Sequence, residues 1–233
     1  MTSPTLTSAE QRRAALEGEL ARHSHGRVPG ELRRRQLLEL ATQLFTERGY
    51  AAASMDELAA RAGVSKPVIY SQFGSKEGLL VAAIEALGIE LNEAVAAAIS
   101  AEREPEQLLR AGSLAFFRIV GERHATWSMV FGATRSLDDR SRPGEEKIAE
   151  IRTRQDALVS AVILASARRL GGEPDPLEVG ALTRGLNGVY EGMVEWWETH
   201  SAIEPERLTE WVVGLVLPGL IAMADREAAG PGR

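Results

Sequence analysis

The sequence predicts an all-α protein, in which a small N-terminal three-helix helix-turn-helix domain precedes a larger helical domain. Three observations support this prediction. Apolar residues recur at helical spacing along nearly the whole chain, and no stretch shows the sustained alternation of a β-strand. Serine, proline and glycine stand where successive helices would begin and end. Two short helical segments meet across a glycine in the first third of the chain.

The composition is that of an ordinary globular chain with an uneven distribution of charge. Of 233 residues, 44% are hydrophobic and 26% are charged; the net charge is -6, and the absence of cysteine excludes disulfides and thiolate metal sites. No apolar run reaches the ~18 residues that a membrane span needs, and no secretory signal pattern is seen, so we expect a cytoplasmic protein. Residues 27–80 hold eight basic and six acidic side chains, whereas the remainder is acidic. A basic head on an acidic body is typical of proteins that bind nucleic acid.

The first 30 residues are predicted to be a flexible extension that contains one short helix. Thr7 and Glu10 have the spacing of a capping box, which predicts a helix over residues 9–22. Pro29 and Gly30 mark a joint after it. We then expect a helix-turn-helix domain over residues 31–80, a regulatory domain over residues 81–228 and a short tail over residues 229–233.

Two helices are predicted first within residues 31–80. The first ends at Gly49, which can adopt the left-handed conformation of a helix cap. The second begins at Ser54, with Glu57 placed to complete a capping box, and ends at Gly63. The first helix has one apolar face, formed by Leu37, Ala41, Leu44 and Phe45.

The third helix follows after a single residue, Val64. Ser65 is its predicted N-cap, and Pro67 lies in its first turn, where an amide partner is not required. Phe73 is expected in the core and Tyr70 on the surface. A glycine ends this helix, and a serine caps a fourth helix that continues beyond residue 80.

The joint at Gly63 and Val64 predicts a DNA-binding function. Gly63 tolerates a positive φ, and Val64 can fill the space between the two helices. In a helix-turn-helix the first helix of the pair supports the second, which lies in the major groove with its N-terminal residues towards base edges.

The same run carries a resemblance to a known family. Residues 55–80, MDELAARAGVSKPVIYSQFGSKEGLL, strongly resemble the DNA-binding head of TetR-family transcriptional regulators, and residues 41–50, ATQLFTERGY, resemble the helix before it. The match covers about residues 33–80. The resemblance implies a regulator, by default a repressor, that binds a palindromic operator as a homodimer and is released by a small-molecule effector, with no cofactor.

The resemblance also implies roles for individual residues of the head. Ser54 and Lys76 match positions that contact phosphate, and Gln72 stands where the family usually has histidine. Arg33, Arg34 and Arg35 are either a solvated face or an arm that contacts DNA, and the sequence leaves both open. The predicted DNA-contact set is Ser54, Ser65, Lys66, Pro67, Val68, Tyr70, Gln72, Lys76, Arg33 and Arg34.

The acidic body is expected to contain five further helices. Pro105, Pro176 and Pro205 each begin one, a short helix is predicted over residues 124–134, and a long one ends near residue 170 after a polar loop over residues 137–144. Its aromatic residues are either core or, as the resemblance implies, the lining of a pocket for an apolar or aromatic effector. The predicted effector-binding set is Phe117, Trp127, Phe131, Asn187, Tyr190, Glu191 and Trp197.

The last two long helices are predicted to form the homodimer interface. Gly185, Gly188 and Gly192 place small residues on one face of the first of them, which permits close helix contact. The last helix is apolar over a wide face that is either the same interface or intramolecular core. The residues of that face are Leu208, Trp211, Val212, Leu215 and Val216.

The sequence argues against an enzyme. It has no His-Glu-x-x-His, no Gly-x-x-x-x-Gly-Lys and no Gly-x-Ser-x-Gly motif, and its four histidines are scattered, so we predict no metal site. The alternative is a helical scaffold or protein-interaction module without an effector. Retention of Lys66, Tyr70 and Lys76 argues against that alternative.

Overall fold

The computed structural model describes residues 8–23, 28–122, 145–169 and 174–228. Across these ranges it consists of α-helices joined by short turns, and the described part contains no strand. The predicted short helix over residues 124–134 and the loop over residues 137–144 lie outside the described residues. The helices are α1 (Ser8–Ala21), α2 (Gly30–Ala52), α3 (Met55–Ala62), α4 (Lys66–Phe73), α5 (Lys76–Ser100), α6 (Pro105–Glu122), α7 (Glu145–Arg169), α8 (Pro176–Glu198) and α9 (Pro205–Ala228).

The described residues divide into two compact units. The head comprises those of Met1–Leu87 and Ala125–Ile148, and the body comprises those of Gly88–His124 and Ala149–Arg233. Within the described ranges, none of the helices combines the length and the apolar composition required to cross a bilayer.

The apolar face predicted for α2 forms the core of the head. All four of its predicted residues are buried, and they are joined by buried side chains from the next three helices. Burial of this kind contributes about 1.5–3 kcal/mol for each large aliphatic side chain. The fully buried large residues of the head are Leu37, Leu44, Leu58, Ile69 and Leu79.

Helix α1 packs on α2 and is therefore part of the head. Leu16 is buried, and the Glu19 carboxylate lies 2.9 Å from the Arg35 guanidinium of α2. The helix predicted over residues 9–22 is thus confirmed within one residue at each end.

Glycines with positive φ shape the turns of the head. Gly63 adopts the left-handed conformation (φ 63°, ψ 36°) and its N–H donates to the carbonyls at the end of α3, as predicted. Gly49 also has a positive φ (74°), but it lies three residues before the assigned end of α2 and forms a kink there. The chain continues from Gly49 to Ala53, whose N–H donates to the Gly49 carbonyl.

Two of the predicted helix caps differ from the expectation. The Ser54 hydroxyl accepts a hydrogen bond from the Asp56 N–H, but Glu57 instead accepts from Arg61, so the capping box is not formed. Ser65 is the N-cap residue of α4 without a side-chain cap bond. Proline at the second helical position removes one N–H that a serine cap would use, and the Val68 N–H at the third position donates to the Ser65 carbonyl instead.

Helices α6 and α9 pack antiparallel in the body. Two ion pairs join them in opposite chain order, one between Arg110 and Glu210 and the other between Arg118 and Glu206 (2.7 Å). Beneath these exposed pairs both helices bury apolar side chains. The fully buried large residues there are Phe117 and Val120 of α6 with Leu208 and Val212 of α9.

Helix α8 connects to its neighbours through polar side chains as well as apolar ones. Its N-cap residue is Asp175, whose carboxylate accepts from the Leu177 N–H. Thr183 is buried and shares a hydrogen bond of 2.8 Å with Ser160 of α7. Pro176 and Pro205 begin α8 and α9 as predicted.

Candidate nucleic-acid interface

Helix α4 has two distinct faces. Ile69 and Phe73 are buried in the head, which anchors the helix, whereas Lys66 and Pro67 are exposed. Tyr70 is 43% exposed, a large value for an aromatic side chain, so its ring is available to a partner. The arrangement matches the prediction that Phe73 is core and Tyr70 is surface.

The remaining predicted contact residues lie near these side chains in the sequence and differ in exposure. Ser54 and Ser65 are exposed at the N-terminal ends of α3 and α4, where free amides favour an anion. Val68 and Gln72 are half-buried on α4, and Lys76 is half-buried at the first position of α5.

Lys66 forms an ion pair within the head. Its ammonium lies 2.9 Å from Asp56 Oδ1 and 3.0 Å from Oδ2, so a carboxylate of the first turn of α3 engages it across the helix-turn-helix joint. This hydrogen bond raises the pKa of Lys66, which therefore remains a cation. The sequence analysis did not identify Asp56, because spacing along two different helices does not show that their first turns meet.

Lys76 is also oriented by groups of the head. Its ammonium donates to the Ala51 carbonyl at 3.1 Å and lies 4.7 Å from the centre of the Tyr50 ring. A cation over an aromatic face is attracted by the ring quadrupole. The predicted phosphate-contact lysine is thus held near the end of α2 by two interactions.

Arg33 and Arg34 do not form a solvated face, one of the two alternatives that the sequence left open. Both are half-buried, and both bind backbone carbonyls at helix ends. Arg33 donates to the Ala62 carbonyl at the end of α3, and Arg34 donates to the Gln72 carbonyl near the end of α4, each at 3.3 Å. The Arg34 guanidinium also lies 4.7 Å from the centre of the Phe73 ring.

These two contacts give α2 a supporting role for both helices of the motif. A cation near a helix C-terminus is favoured because the last carbonyls are unpaired and carry partial negative charge. Arg33 and Arg34 satisfy this requirement for α3 and α4, respectively. A run of three arginines does not indicate such a role in the sequence, since the partners lie 29 and 38 residues away.

A separate ion-pair network braces α2 against α3 on the exposed side. Arg61 lies 2.6 Å from both Glu47 and Glu57, and Arg48 lies 3.7 Å from Glu57. The hydrogen bond from Arg61 lowers the pKa of the Glu47 carboxyl group. Because all these side chains are at least partly solvated, the network positions the helices more than it stabilises them.

In the body, three of the predicted effector-binding residues form one aromatic cluster. Phe117 lies 5.7 Å from the Tyr190 ring and 6.1 Å from the Trp197 ring, measured between centres. Phe117 and Trp197 are buried, and the Trp197 indole donates to the Ile203 carbonyl at 2.8 Å. The three rings therefore pack directly against one another. Two other predicted residues, Trp127 and Phe131, lie outside the described residues.

Tyr190 is the polar member of the aromatic cluster. Its hydroxyl lies 2.6 Å from that of Ser113, which itself donates to the Leu109 carbonyl. Since the Ser113 proton is used in that bond, Tyr190 is the donor between the two hydroxyls. Burial raises the pKa of Tyr190 to about 12.

The two polar residues predicted for the effector are paired with α7. Asn187 donates to the Asp156 carboxylate, and Glu191 lies 3.7 Å from Arg152. The sequence analysis did not identify Gly121 of α6, which contacts this cluster. A Cβ at Gly121 would lie 2.8 Å from the Trp197 ring of α8. A side chain at this position would therefore displace the Trp197 ring.

The fold and the exposed recognition face define a helix-turn-helix DNA-binding protein. A family model described as bacterial regulatory proteins, tetR family, matches residues 37–83. The HTH-type transcriptional activator FasR of Mycolicibacterium smegmatis is 30% identical over 216 residues, which cover 92% of this chain and 95% of FasR. The HTH-type transcriptional regulator EthR of the same organism is 27% identical over 206 residues, covering 87% and 90%.

A solved structure shows the same architecture. A TetR-like transcriptional regulator from Rhodococcus sp. RHA1 superimposes with a TM-score of 0.63 at 25% identity, over 84% of this chain and 99% of that one. The chain therefore belongs to the TetR family of bacterial regulatory proteins, and it is a DNA-binding transcriptional regulator. Its relatives are regulators and not enzymes.

Proposed function

We propose that this regulator binds palindromic operator DNA as a homodimer and is released from it by a small apolar or aromatic effector. The single observation that carries the DNA-binding part is the division of α4 into a buried face and an exposed face. Ile69 and Phe73 fix the helix, and Lys66, Pro67 and Tyr70 are left at the surface. A rigid helix with exposed residues near its N-terminus suits the major groove.

The proposed contacts fall into two groups. Lys66 and Tyr70 read base edges from α4, where Gln72 adds an amide that suits an adenine edge or a phosphate. Ser54 and Lys76 contact phosphates and set the orientation of the head. Ser65, Pro67 and Val68 complete the surface that faces DNA. We leave Arg33 and Arg34 out of this set, because both are engaged with carbonyls of α3 and α4.

The experiment is a selection of bound fragments from random DNA, followed by gel shifts on the recovered sequence. We expect a palindrome, since two heads on a two-fold axis read two half-sites. Lys76→Ala should weaken binding to all sequences and lower the salt slope by about one, whereas Tyr70→Ala should change the preference among sequences. Arg154→Ala, which removes an exposed cation of the body, is the control. If neither head variant differs from that control, the DNA contacts are assigned wrongly.

The exposed faces of α8 and α9 support the proposed homodimer. A Cβ added at Gly185, Gly188 or Gly192 would meet no atom within 4 Å, so this face of α8 is open to a second helix. On α9, Trp211 is 38% exposed and Leu215 is 67% exposed. The predicted apolar face of α9 is thus divided, since Leu208 and Val212 lie in the core of the body.

The dimer is tested by light scattering on the intact protein. Leu215→Glu should shift the mass from dimer towards monomer and abolish cooperative binding to the palindrome, because an isologous interface places the charge twice in one apolar contact. Ile89→Glu, at an exposed apolar residue of α5, should leave the dimer intact. A Leu215→Glu protein that stays dimeric would place the interface elsewhere.

The aromatic cluster and its one buried hydroxyl pair support an effector of apolar or aromatic character. Phe117, Tyr190 and Trp197 offer apolar contact, and Tyr190 with Ser113 offers a polar anchor. A ligand can shift the head spacing only by as much as it prefers one conformation over the other. Thermal stability measured against a panel of apolar carboxylates and aromatic compounds tests this, since a bound effector raises the melting temperature.

The direction of regulation has two candidates. We propose repression, because a dimer bound to an operator prevents other proteins from binding the same DNA. Activation is the second candidate, because FasR, at 30% identity, is named a transcriptional activator. A reporter gene behind the selected palindrome separates them. Its expression falls on adding the regulator in the first case and rises in the second.

A further inference from the structure

One ion pair lies between the first turns of the two helix-turn-helix helices and has no role in the contacts proposed so far. Asp56 of α3 places both carboxylate oxygens within 3.0 Å of the Lys66 ammonium of α4. The side chains are 74% and 46% exposed, respectively, so the pair lies at the surface and not in the core. The N–H of Asp56 is itself bonded to the Ser54 hydroxyl, which fixes the backbone that carries the carboxylate.

The pair neutralises the first cation of the recognition helix. An ammonium has three N–H donors, and a carboxylate that engages two of them leaves one free. The free donor can still bind an acceptor on a base edge, such as guanine O6 or N7. The pair as a whole, however, has no net charge. Its contact with a DNA phosphate therefore releases no counterion and contributes little to the charge-dependent part of binding.

We infer that Asp56 is a specificity-determining residue, which holds Lys66 for base contact and withholds it from phosphates of non-operator DNA. This inference rests on the proposed function, since it requires that α4 faces DNA. Discrimination is a difference between two affinities, and a protein can increase it by weakening the unwanted complex. Binding to non-operator DNA is essentially all electrostatic, so the loss of one cation from each head affects that complex most.

The test compares operator with random DNA in gel shifts across a range of salt concentrations. Asp56→Asn keeps the shape of the side chain and removes its charge. We expect binding of random DNA to tighten about twofold to fivefold per head, the range for an exposed ion pair. The salt slope on random DNA should increase by about 0.9 per head, and the operator affinity should change by less than about twofold.

Three variants give the inference its controls. Glu47→Gln removes an equal charge from another exposed ion pair of the head, with Arg61, and reports the general effect of a less acidic head. Asp56→Glu keeps the charge and should retain the discrimination of the parent protein. In a Lys66→Ala background, Asp56→Asn should have no more effect than Glu47→Gln.

The outcomes separate this inference from the proposed function. If the parent protein retains no DNA in the selection, the proposed function fails. If it binds a palindrome but Asp56→Asn matches Glu47→Gln, or tightens operator and random DNA equally, or acts without Lys66, the role assigned to Asp56 is wrong. If Asp56→Asn binds random DNA more tightly, and only when Lys66 is present, the role assigned to Asp56 is supported.

Discussion

The head and the body of this regulator are built by different kinds of interaction. In the head, short helices are joined by turns at glycines with positive φ. Arg33 and Arg34 donate hydrogen bonds to backbone carbonyls of two of these helices. In the body, long helices pack through an aromatic cluster and through polar pairs that join one helix to another. The turns of the head are therefore set by local signals, whereas the charged contacts of the head and the helix packing of the body join distant parts of the chain.

The difference extends to the candidate functional residues. In the head, Lys66 and Tyr70 are exposed on a scaffold whose core lies beneath them. In the body, Phe117 and Trp197 are themselves core residues. The exposed residues of the head can therefore be changed with little effect on core packing, whereas a substitution at Phe117 or Trp197 removes core packing.

The largest effect is expected at Phe117, which tests whether the cluster is structural. Its side chain is wholly buried, so Phe117→Ala should lower the free energy of unfolding by about 3–5 kcal/mol. Urea unfolding at a fixed protein concentration measures this. The half-buried neighbour, Phe116→Ala, should cost less than half as much. A loss below about 1 kcal/mol for Phe117→Ala would mean that the ring lines a cavity instead of filling the core.

A glycine from each region gives the next comparison. Gly63 has φ 63°, and a β-branched residue is strained in that conformation, so Gly63→Val should cost about 2 kcal/mol and reduce DNA binding by shifting α4. Gly180 lies inside α8 with open space around its Cβ position, and Gly180→Ala should stabilise the protein by about 0.5–1 kcal/mol. Thermal unfolding of both variants measures these two changes in stability. Equal effects at the two positions would contradict the distinction between turn and helix glycines.

The sequence predicted the parts of the fold that depend on nearby residues. The apolar face of α2, the left-handed Gly63 and the starts of α8 and α9 were all correct, because periodicity, chain geometry and proline chemistry act within a few residues. Ser65 is the N-cap residue as predicted, although its side chain makes no cap bond, and the Glu57 capping box was wrong. That box depended on a choice between partners, and Glu57 accepts from Arg61 instead.

The candidate site was predictable in its location and not in its internal contacts. Helix-turn-helix spacing located the exposed face of α4 correctly. It did not predict that Asp56 would meet Lys66, or that Arg34 would reach Gln72 at a separation of 38 residues. Such pairs depend on the angle between helices, which no local pattern encodes.

Arg34 provides a test of the scaffold in the head. Arg34→Ala removes a charged hydrogen bond to the end of α4 and the contact with the Phe73 ring, so we expect a loss of about 1–2 kcal/mol. Operator binding should weaken with little change in salt slope, because no phosphate contact is lost. Lys76→Ala is the comparison: it also removes a bond to a carbonyl and a ring contact, but its salt slope should fall by about one. A slope that falls by about one for Arg34→Ala would instead make Arg34 a DNA contact.

The effect expected at Tyr190 appears only at high pH. Burial raises the pKa of this phenol from 10.0 to about 12, so the folded state keeps it neutral where the unfolded state ionises it. The associated stability is complete below pH 10 and is lost at about 1.4 kcal/mol per pH unit between pH 10 and about 12.

Urea unfolding of Tyr190→Phe and the parent protein at pH 9, 10 and 11 isolates that contribution. The variant loses the hydrogen bond to Ser113 at every pH, but its stability should fall less steeply above pH 10 than that of the parent protein. Tyr50 of the head remains in both proteins, and its pKa is also raised by burial, so its contribution cancels in the difference. Parallel curves for the two proteins would mean that Tyr190 is solvated, as the wall of an effector cavity open to water would be.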